Sequence, residues 1–133
     1  MKNRVTGLGG IFFKTKDPDQ IKTWYKNHLG LNTDNYGCSF WWKDQDGNDA
    51  MTQWSPFSND TNYFEPSEKP FMINFRVENL AELMEALKKE GVTIVGEIAE
   101  YDYGKFLQKI KLEEPDIVVI ECSTPTIDID VWF

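Results

Sequence analysis

A short pattern that occurs twice in this chain constrains its fold more than any single residue does. In the first copy, the apolar run Leu8–Phe13 leads into an amphipathic helix pattern that ends at Gly30. In the second copy, the run Phe71–Val77 leads into a similar helix pattern that ends at Gly91. A strand–helix unit used twice predicts two similar halves packed side by side, with a cavity where they meet.

Both helices carry start signals in the sequence. Asp17 can accept hydrogen bonds from the free N–H groups of the first helix, and Pro18 suits its first position. Asn79 caps the second helix, with Glu82 three residues later as the partner of a capping box. The apolar stripe of the first helix predicts a packed face, which consists of Ile21, Trp24, Tyr25, His28 and Leu29.

The segments outside the helices have the alternation and turn signals of strands. Tyr36–Lys43 and Ala50–Trp54 flank Asp46-Gly47, a strong hairpin signal. Three further strands are predicted after the second helix, at Thr93–Glu100, Lys105–Leu112 and Ile117–Cys122. The order of one strand, one helix and about three strands is therefore predicted twice.

Length, net charge and cysteine spacing limit the kinds of molecule that this protein is expected to bind. The chain has 133 residues, the length of one domain, and a formal net charge of −8 at pH 7. This charge argues against nucleic acids and anionic membrane surfaces, which bind basic proteins. No apolar stretch approaches the roughly 20 residues that span a bilayer, and no secretory h-region follows the N-terminus. Cys38 and Cys122 lack metal-type spacing, so we expect buried thiols in a cytoplasmic protein.

Two segments in particular carry a resemblance to a known family. They are Trp24–Gly30, with the sequence Trp-Tyr-Lys-Asn-His-Leu-Gly, and Tyr103–Phe106, with the sequence Tyr-Gly-Lys-Phe. Together with Gly9–Lys14, Phe71–Leu80 and Ile120–Cys122, they resemble the glyoxalase-like bacterial branch of the vicinal oxygen chelate superfamily. That superfamily includes glyoxalase I, bleomycin-resistance proteins and extradiol dioxygenases. The resemblance covers nearly the whole chain.

The resemblance implies an α+β fold of two βαβββ modules whose curved mixed sheets surround a cavity, often in a homodimer. Module one would span about residues 5–56, a connector about 57–70 and module two about 71–123. An extra C-terminal strand is expected over about residues 124–133. The connector holds the aromatic residues Phe57, Tyr63 and Phe64, which would either clamp the halves together or lean over a pocket.

Metal-dependent members of this family hold a divalent ion with one ligand from each of four strands. By the resemblance, the two opening positions fall here on Gly10 and on Met72, or on Phe71 if the register slips by one. Glycine and phenylalanine carry no donor, and a thioether is a poor ligand for hard cations. Gln53 and Glu121 remain as plausible ligands, and two donors do not make a tight site. We therefore expect no metal and no other cofactor.

Glu121 is the candidate catalytic residue. It interrupts the apolar run Ile117–Cys122, and burial of a carboxylate without a partner is costly. If it faces the cavity, its pKa should rise, as suits a general base. The alternative is a salt bridge to a lysine of the neighbouring strand, Lys105, Lys109 or Lys111.

The candidate ligand-binding residues are polar or aromatic positions on strands and at one turn: Gln53, Asn74, Arg76, Trp42, Trp54, Tyr103 and Lys105. Asn74 and Arg76 share the strand parity of Met72, and they would offer hydrogen bonds and a positive charge to a carboxylate-bearing ligand. Alternatively, Arg76 pairs at the rim with Glu78 or Glu100. His28 is expected to be a packed or interfacial residue and not a catalyst.

Three hypotheses about function follow. The first is a binding protein that holds a small organic molecule in an aromatic-lined cavity without the family metal, as bleomycin-resistance proteins do. The second is a glyoxalase-like lyase, isomerase or dioxygenase that acts through Glu121. The third is a degenerate member whose own aromatic side chains fill the cavity. The absence of donors at Gly10 and Met72 favours the first.

Overall fold

A computed structural model describes residues 5–65 and 67–94 in full, and the backbone of residues 95–102, 106–112 and 117–122. Two helices and seven strands lie within these residues. In chain order they are β1 (Val5–Thr15), α1 (Pro18–Leu29), β2 (Cys38–Lys43), β3 (Asp49–Ser58), β4 (Phe71–Val77), α2 (Leu80–Lys89), β5 (Ile94–Asp102), β6 (Phe106–Leu112) and β7 (Ile117–Cys122). Neither helix is long and apolar enough to cross a bilayer.

The seven strands form one mixed sheet in the order β2-β3-β1-β4-β7-β6-β5. The first strands of the two repeats, β1 and β4, pair antiparallel at its centre. Each of them also pairs in parallel with the last strand of its own repeat, β1 with β3 and β4 with β7. The predicted α+β class and mixed sheet are confirmed.

The first repeat is one strand shorter than predicted. Two strands follow α1 instead of about three, and the segment before β2 contributes one isolated bridge between Thr33 and Cys38. The carboxylate of Asp34 accepts hydrogen bonds from the backbone N–H groups of Tyr36 and Gly37, at 2.8 and 3.1 Å. These contacts hold the segment in a turn, which explains why it does not extend into a strand.

Strand lengths also differ from the sequence prediction. The hairpin at Asp46-Gly47 is present, but β3 continues to Ser58 and so includes the start of the predicted connector. The three strands after α2 match the predicted segments closely. The predicted C-terminal strand at 124–133 lies outside the described residues.

Helix α2 is part of the hydrophobic core. The Asn79 side chain accepts a hydrogen bond from the backbone N–H of Glu82 at 3.0 Å, which confirms the predicted cap. Leu80 and Leu83 are buried together with Val77, the last residue of β4. Met84, Leu87 and Ile94 pack around this cluster.

Helix α1 has the predicted ends but not the predicted burial. Asp17 caps it, and Gly30 ends it at φ 72°. However, no residue of α1 is buried, and Trp24 and Leu29 are 50% and 63% exposed. The helix rests on the sheet through Tyr25, whose ring lies 5.0 Å from that of Trp54. The predicted packed stripe is therefore only partly formed: Ile21 and Tyr25 are half-buried, whereas Trp24, His28 and Leu29 are exposed.

Glycines in β1 leave room for aromatic rings. A Cβ atom at Gly10 would lie 2.7 Å from Cε1 of Phe12, and one at Gly7 would lie 2.3 Å from Cη2 of Trp42. A Cβ atom at Gly9 would meet its nearest neighbour, Cγ of Arg76, at an ordinary 3.5 Å. The rings of Phe12 and Trp42 therefore occupy the space that side chains at positions 10 and 7 would need.

We predict that Gly10→Ala destabilises the protein by about 1–3 kcal/mol, the usual cost of overpacking a well-packed region. Gly9→Ala is the matched control and should change the free energy of unfolding by less than about 1 kcal/mol, because alanine fits there. Urea denaturation measures both values. Equal effects of the two substitutions would contradict the packing of Phe12 on Gly10.

Candidate functional site

One face of the central strand pair carries buried polar residues. Met72, Asn74 and Arg76 alternate along β4 and are buried, whereas the residues between them are half-buried. Gly10 of β1 lies opposite Asn74 of β4 on one side and opposite Gln53 of β3 on the other. Because paired residues of neighbouring strands share a face, Gln53 and Asn74 lie on the same face with a glycine between them.

Gln53, Asn74 and Arg76 form what we call the polar cluster. Their exposed fractions are 0%, 0% and 7%. Five of their side-chain atoms have no hydrogen-bond partner within the described part of the chain: Gln53 Nε2, Asn74 Nδ2 and Oδ1, and Arg76 Nε and Nη1. Each such atom costs about 1–3 kcal/mol, and folded proteins rarely leave so many unpaired. The cluster is therefore the strongest candidate site in the described residues.

Two of these side chains are nevertheless held in place. The Ser39 hydroxyl donates a hydrogen bond to Oε1 of Gln53 at 2.8 Å. The guanidinium carbon of Arg76 lies 5.6 Å from the centre of a Trp42 ring. Trp42 is itself fixed, because its indole N–H donates to the hydroxyl of Thr52 at 2.9 Å. Gln53 and Arg76 therefore keep free donor atoms on anchored side chains.

Arg76 has no salt bridge to any described carboxylate. The alternative pairing with Glu78 is not formed, because Arg76 is buried and Glu78 is exposed. The side chain of Glu100 lies outside the described residues. The guanidinium is thus a buried positive charge that is covered by an aromatic ring but not neutralised within the described chain.

Aromatic residues of the connector pack onto the same face. Phe12, which lies opposite Met72, is 1% exposed, and its ring centre lies 5.4 Å from that of Phe57. Phe57 and Tyr63 are stacked at 5.3 Å, and Phe64 is also 1% exposed. This group borders the polar cluster, since the ring of Phe12 lies over Gly10.

The predicted tryptophans separate onto different parts of the sheet. Trp42 lies against Arg76 and joins the polar cluster. Trp54 follows Gln53 in β3 but packs beneath α1, between Tyr25 and Phe13, at ring distances of 5.0 and 5.5 Å. The structure therefore does not bring Trp54 to the cluster.

Three other predicted residues are described in part or not at all. Tyr103 and Lys105 lie outside the described residues. Glu121 lies in β7, where its backbone is paired with Val77 of β4, whereas Asn74 is paired with Val118. This register places Glu121 level with the strand end that contacts α2. Its side chain is not described, and its role as a base stays a prediction.

The residues at the two positions that the sequence resemblance assigns to metal ligands do not fit a metal centre. Gly10 supplies no donor, and the ring of Phe12 fills the space beside it. Met72 is 3% exposed and offers a thioether, which binds hard cations poorly. In the observed register, Glu121 of β7 is paired with Val77, which lies five residues from Met72 along β4.

The sequence did not single out Ser39 or Phe12, although both contribute to the site. Ser39 lies opposite Gln53 in the β2–β3 hairpin. The Asp46-Gly47 turn fixes that register, so counting outward from the turn would have found it. Phe12 had no comparable signal, because its position over Gly10 depends on packing.

We predict that Arg76→Met leaves the free energy of unfolding unchanged or raises it by up to about 4 kcal/mol, as when buried ionic groups are replaced by apolar ones. Methionine keeps a long side chain and removes the unneutralised charge. Lys43→Met is the control, since Lys43 is exposed and pairs on the surface with Asp49; its effect should stay below about 1 kcal/mol. Denaturation by urea measures both. A large loss of stability in Arg76→Met alone would show that the charge is neutralised in the folded protein.

Comparison with known proteins gives matches at the level of structure. No protein-family model matches the chain, and a search of curated proteins found no match. Methylmalonyl-CoA epimerase from Mycobacterium tuberculosis matches with a TM-score of 0.59 at 19% identity, covering 93% of each chain. A variant of the Streptomyces coelicolor methylmalonyl-CoA epimerase, in complex with 2-nitronate-propionyl-CoA, gives 0.63 at 12% identity, covering 90% of this chain and 99% of the other.

A glyoxalase/bleomycin resistance protein/dioxygenase superfamily member from Vibrio splendidus 12B01 gives a TM-score of 0.53 at 10% identity, over 90% of this chain and 99% of the other. The two epimerases and the Vibrio splendidus protein belong to the vicinal oxygen chelate superfamily. At such low identities the likeness concerns the fold. The resemblance seen in the sequence is confirmed at that level: the chain has a glyoxalase-like fold shared with vicinal oxygen chelate proteins.

Proposed function

We propose that the protein binds a small organic molecule against the polar cluster, in an aromatic-lined cavity between two modules, without the family's divalent metal. The observation that carries this proposal is the set of five buried polar atoms without a partner in the described chain. A ligand that supplies hydrogen bonds to these atoms would remove the cost of their burial. The residues at the metal positions support the metal-free part of the proposal, since Gly10 and Met72 offer no suitable donor.

The surroundings of the cluster suit an organic ligand. Ligand pockets are usually lined by apolar and aromatic side chains, with a few polar groups that fix orientation. Trp42 and Phe12 supply aromatic surface beside Arg76 and Gly10. Proteins with a similar fold have been solved with small molecules bound, among them the epimerase complex with 2-nitronate-propionyl-CoA.

A homodimer is part of the same proposal. Strand β2 lies at one edge of the sheet and presents Phe40 and Trp41, which are 48% and 54% exposed. Edge strands with exposed apolar side chains are suited to pairing with another chain. A second copy of the chain would cover Phe40 and Trp41. The proposal also places the protein in the cytoplasm.

The first test is the metal content of protein purified without chelator, followed by a small-molecule screen read by tryptophan fluorescence. We expect less than stoichiometric metal in the wild type and in Glu121→Ala. In the screen, we expect ligands that change the fluorescence of the wild type and bind at least about tenfold more weakly to Asn74→Leu, which removes two of the unpaired atoms. Lys43→Met serves as the control. Stoichiometric metal that is lost in Glu121→Ala would overturn the metal-free proposal.

An enzyme of the isomerase type is the second candidate, because several structures of similar fold are epimerases. In this reading Glu121 acts as the general base that removes a proton next to a carbonyl group. Lyase and dioxygenase reactions through Glu121 belong to the same alternative. Failure to find any ligand would instead favour a cavity filled by the protein's own aromatic side chains.

The enzyme hypothesis predicts exchange of the α-proton of a bound thioester or 2-oxo acid with deuterium from the solvent. Glu121→Gln should slow this exchange by about 100-fold or more, the usual contribution of a general base. Proton NMR in D₂O measures it, with Glu78→Gln, an exposed residue, as the control. Exchange at the same rate in both variants would exclude Glu121 as the base.

A further inference from the structure

Arg76 differs from the other members of the polar cluster because it carries a charge. A guanidinium group stays protonated at any pH at which a protein is folded. It is 7% exposed and has no salt bridge to a described carboxylate. Buried charges in proteins are normally paired, because an unpaired ion loses its hydration without compensation. The free protein therefore lacks a counter-charge for Arg76 among its described residues.

The environment of Arg76 favours binding of an anion. Trp42 covers the guanidinium and holds it in position through a cation–π contact, but an aromatic ring brings no negative charge. The chain as a whole is acidic, with a net charge of −8. A buried positive charge is unusual in such an acidic chain, and a neutral ligand would not supply the counter-charge that is missing among the described residues.

The unpaired atoms also favour an acceptor-rich ligand. Four of the five are nitrogen donors, and the fifth is Oδ1 of Asn74. Whichever way the two amides are oriented, Nε and Nη1 of Arg76 can only donate. A carboxylate accepts up to about four hydrogen bonds and donates none. Asn74 lies two residues from Arg76 on the same face, about 7 Å along the strand, and offers both a donor and an acceptor.

We propose that the ligand is a small carboxylate whose charged group binds Arg76 and whose second polar group, an oxo or hydroxyl oxygen, binds Asn74. This inference rests on the proposed function, since it names the chemical class of the molecule held by the polar cluster. The carboxylate supplies the counter-charge that Arg76 lacks among the described residues. The apolar part of the ligand lies against Trp42 and Phe12.

The test compares each acid with its neutral amide. The probes are 4-hydroxybenzoate with 4-hydroxybenzamide, and 2-oxobutanoate with 2-oxobutanamide, each titrated to 10 mM while the thermal unfolding midpoint is recorded. We expect at least one acid to raise the midpoint of the wild type and of Lys43→Met in a concentration-dependent manner. Its affinity for Arg76→Met should fall by about 10- to 100-fold, the loss expected for a charged hydrogen-bonding group. The matching amide should bind the wild type at least about tenfold more weakly than the acid.

Arg76→Lys separates charge from geometry and does not depend on the folding of Arg76→Met. It keeps the positive charge but loses the planar set of donors, so the preference for acid over amide should persist at lower affinity. Equal binding of acids and amides, or full binding of the acid by Arg76→Met, would overturn the carboxylate proposal while leaving small-molecule binding intact. No shift with any of the four probes would also count against the carboxylate, and the fluorescence screen then decides the proposed function separately.

Discussion

The packing of Phe12 on Gly10 is the constraint on which the sheet face that carries the polar cluster depends. Gly10 is paired with β3 and β4 at once, so any side chain there would enter the space between Gln53 and Asn74. The ring of Phe12 takes that space instead. Strand β1 can therefore pair with β4 of the second repeat and, beside Gly10, bury the ring of Phe12. The same contact fills the space beside the position that the sequence resemblance assigns to a metal ligand.

The polar cluster lowers the stability that this core would otherwise have. An apolar sheet face packed on Phe12 and Met72 would contribute only favourable burial, whereas Gln53, Asn74 and Arg76 add five unpaired atoms. Folded proteins carry such local conflicts mainly at functional sites. The same face of the sheet therefore combines a tightly packed aromatic part with a polar part whose hydrogen bonds are not satisfied by the described residues.

Features that depend on near neighbours in the chain could be predicted from the sequence. Helix starts at Asp17 and Asn79 follow from caps within three residues, and the shared face of Asn74 and Arg76 follows from strand alternation. Features that depend on distant segments could not. The placement of Gln53 beside Asn74 requires the register of three strands, and the contact of Trp42 with Arg76 joins different repeats.

The two repeats share a topology but differ in how firmly their helices are attached. Leu80 and Leu83 bind α2 into the core, whereas α1 buries no residue and rests on Trp54 through Tyr25. Local opening costs least where few apolar contacts are broken. Helix α1 should therefore separate from the sheet in fluctuations that leave the rest of the fold intact, and its backbone amides should exchange with solvent long before those of α2. The two copies of this structural unit should therefore differ in how readily their helices open.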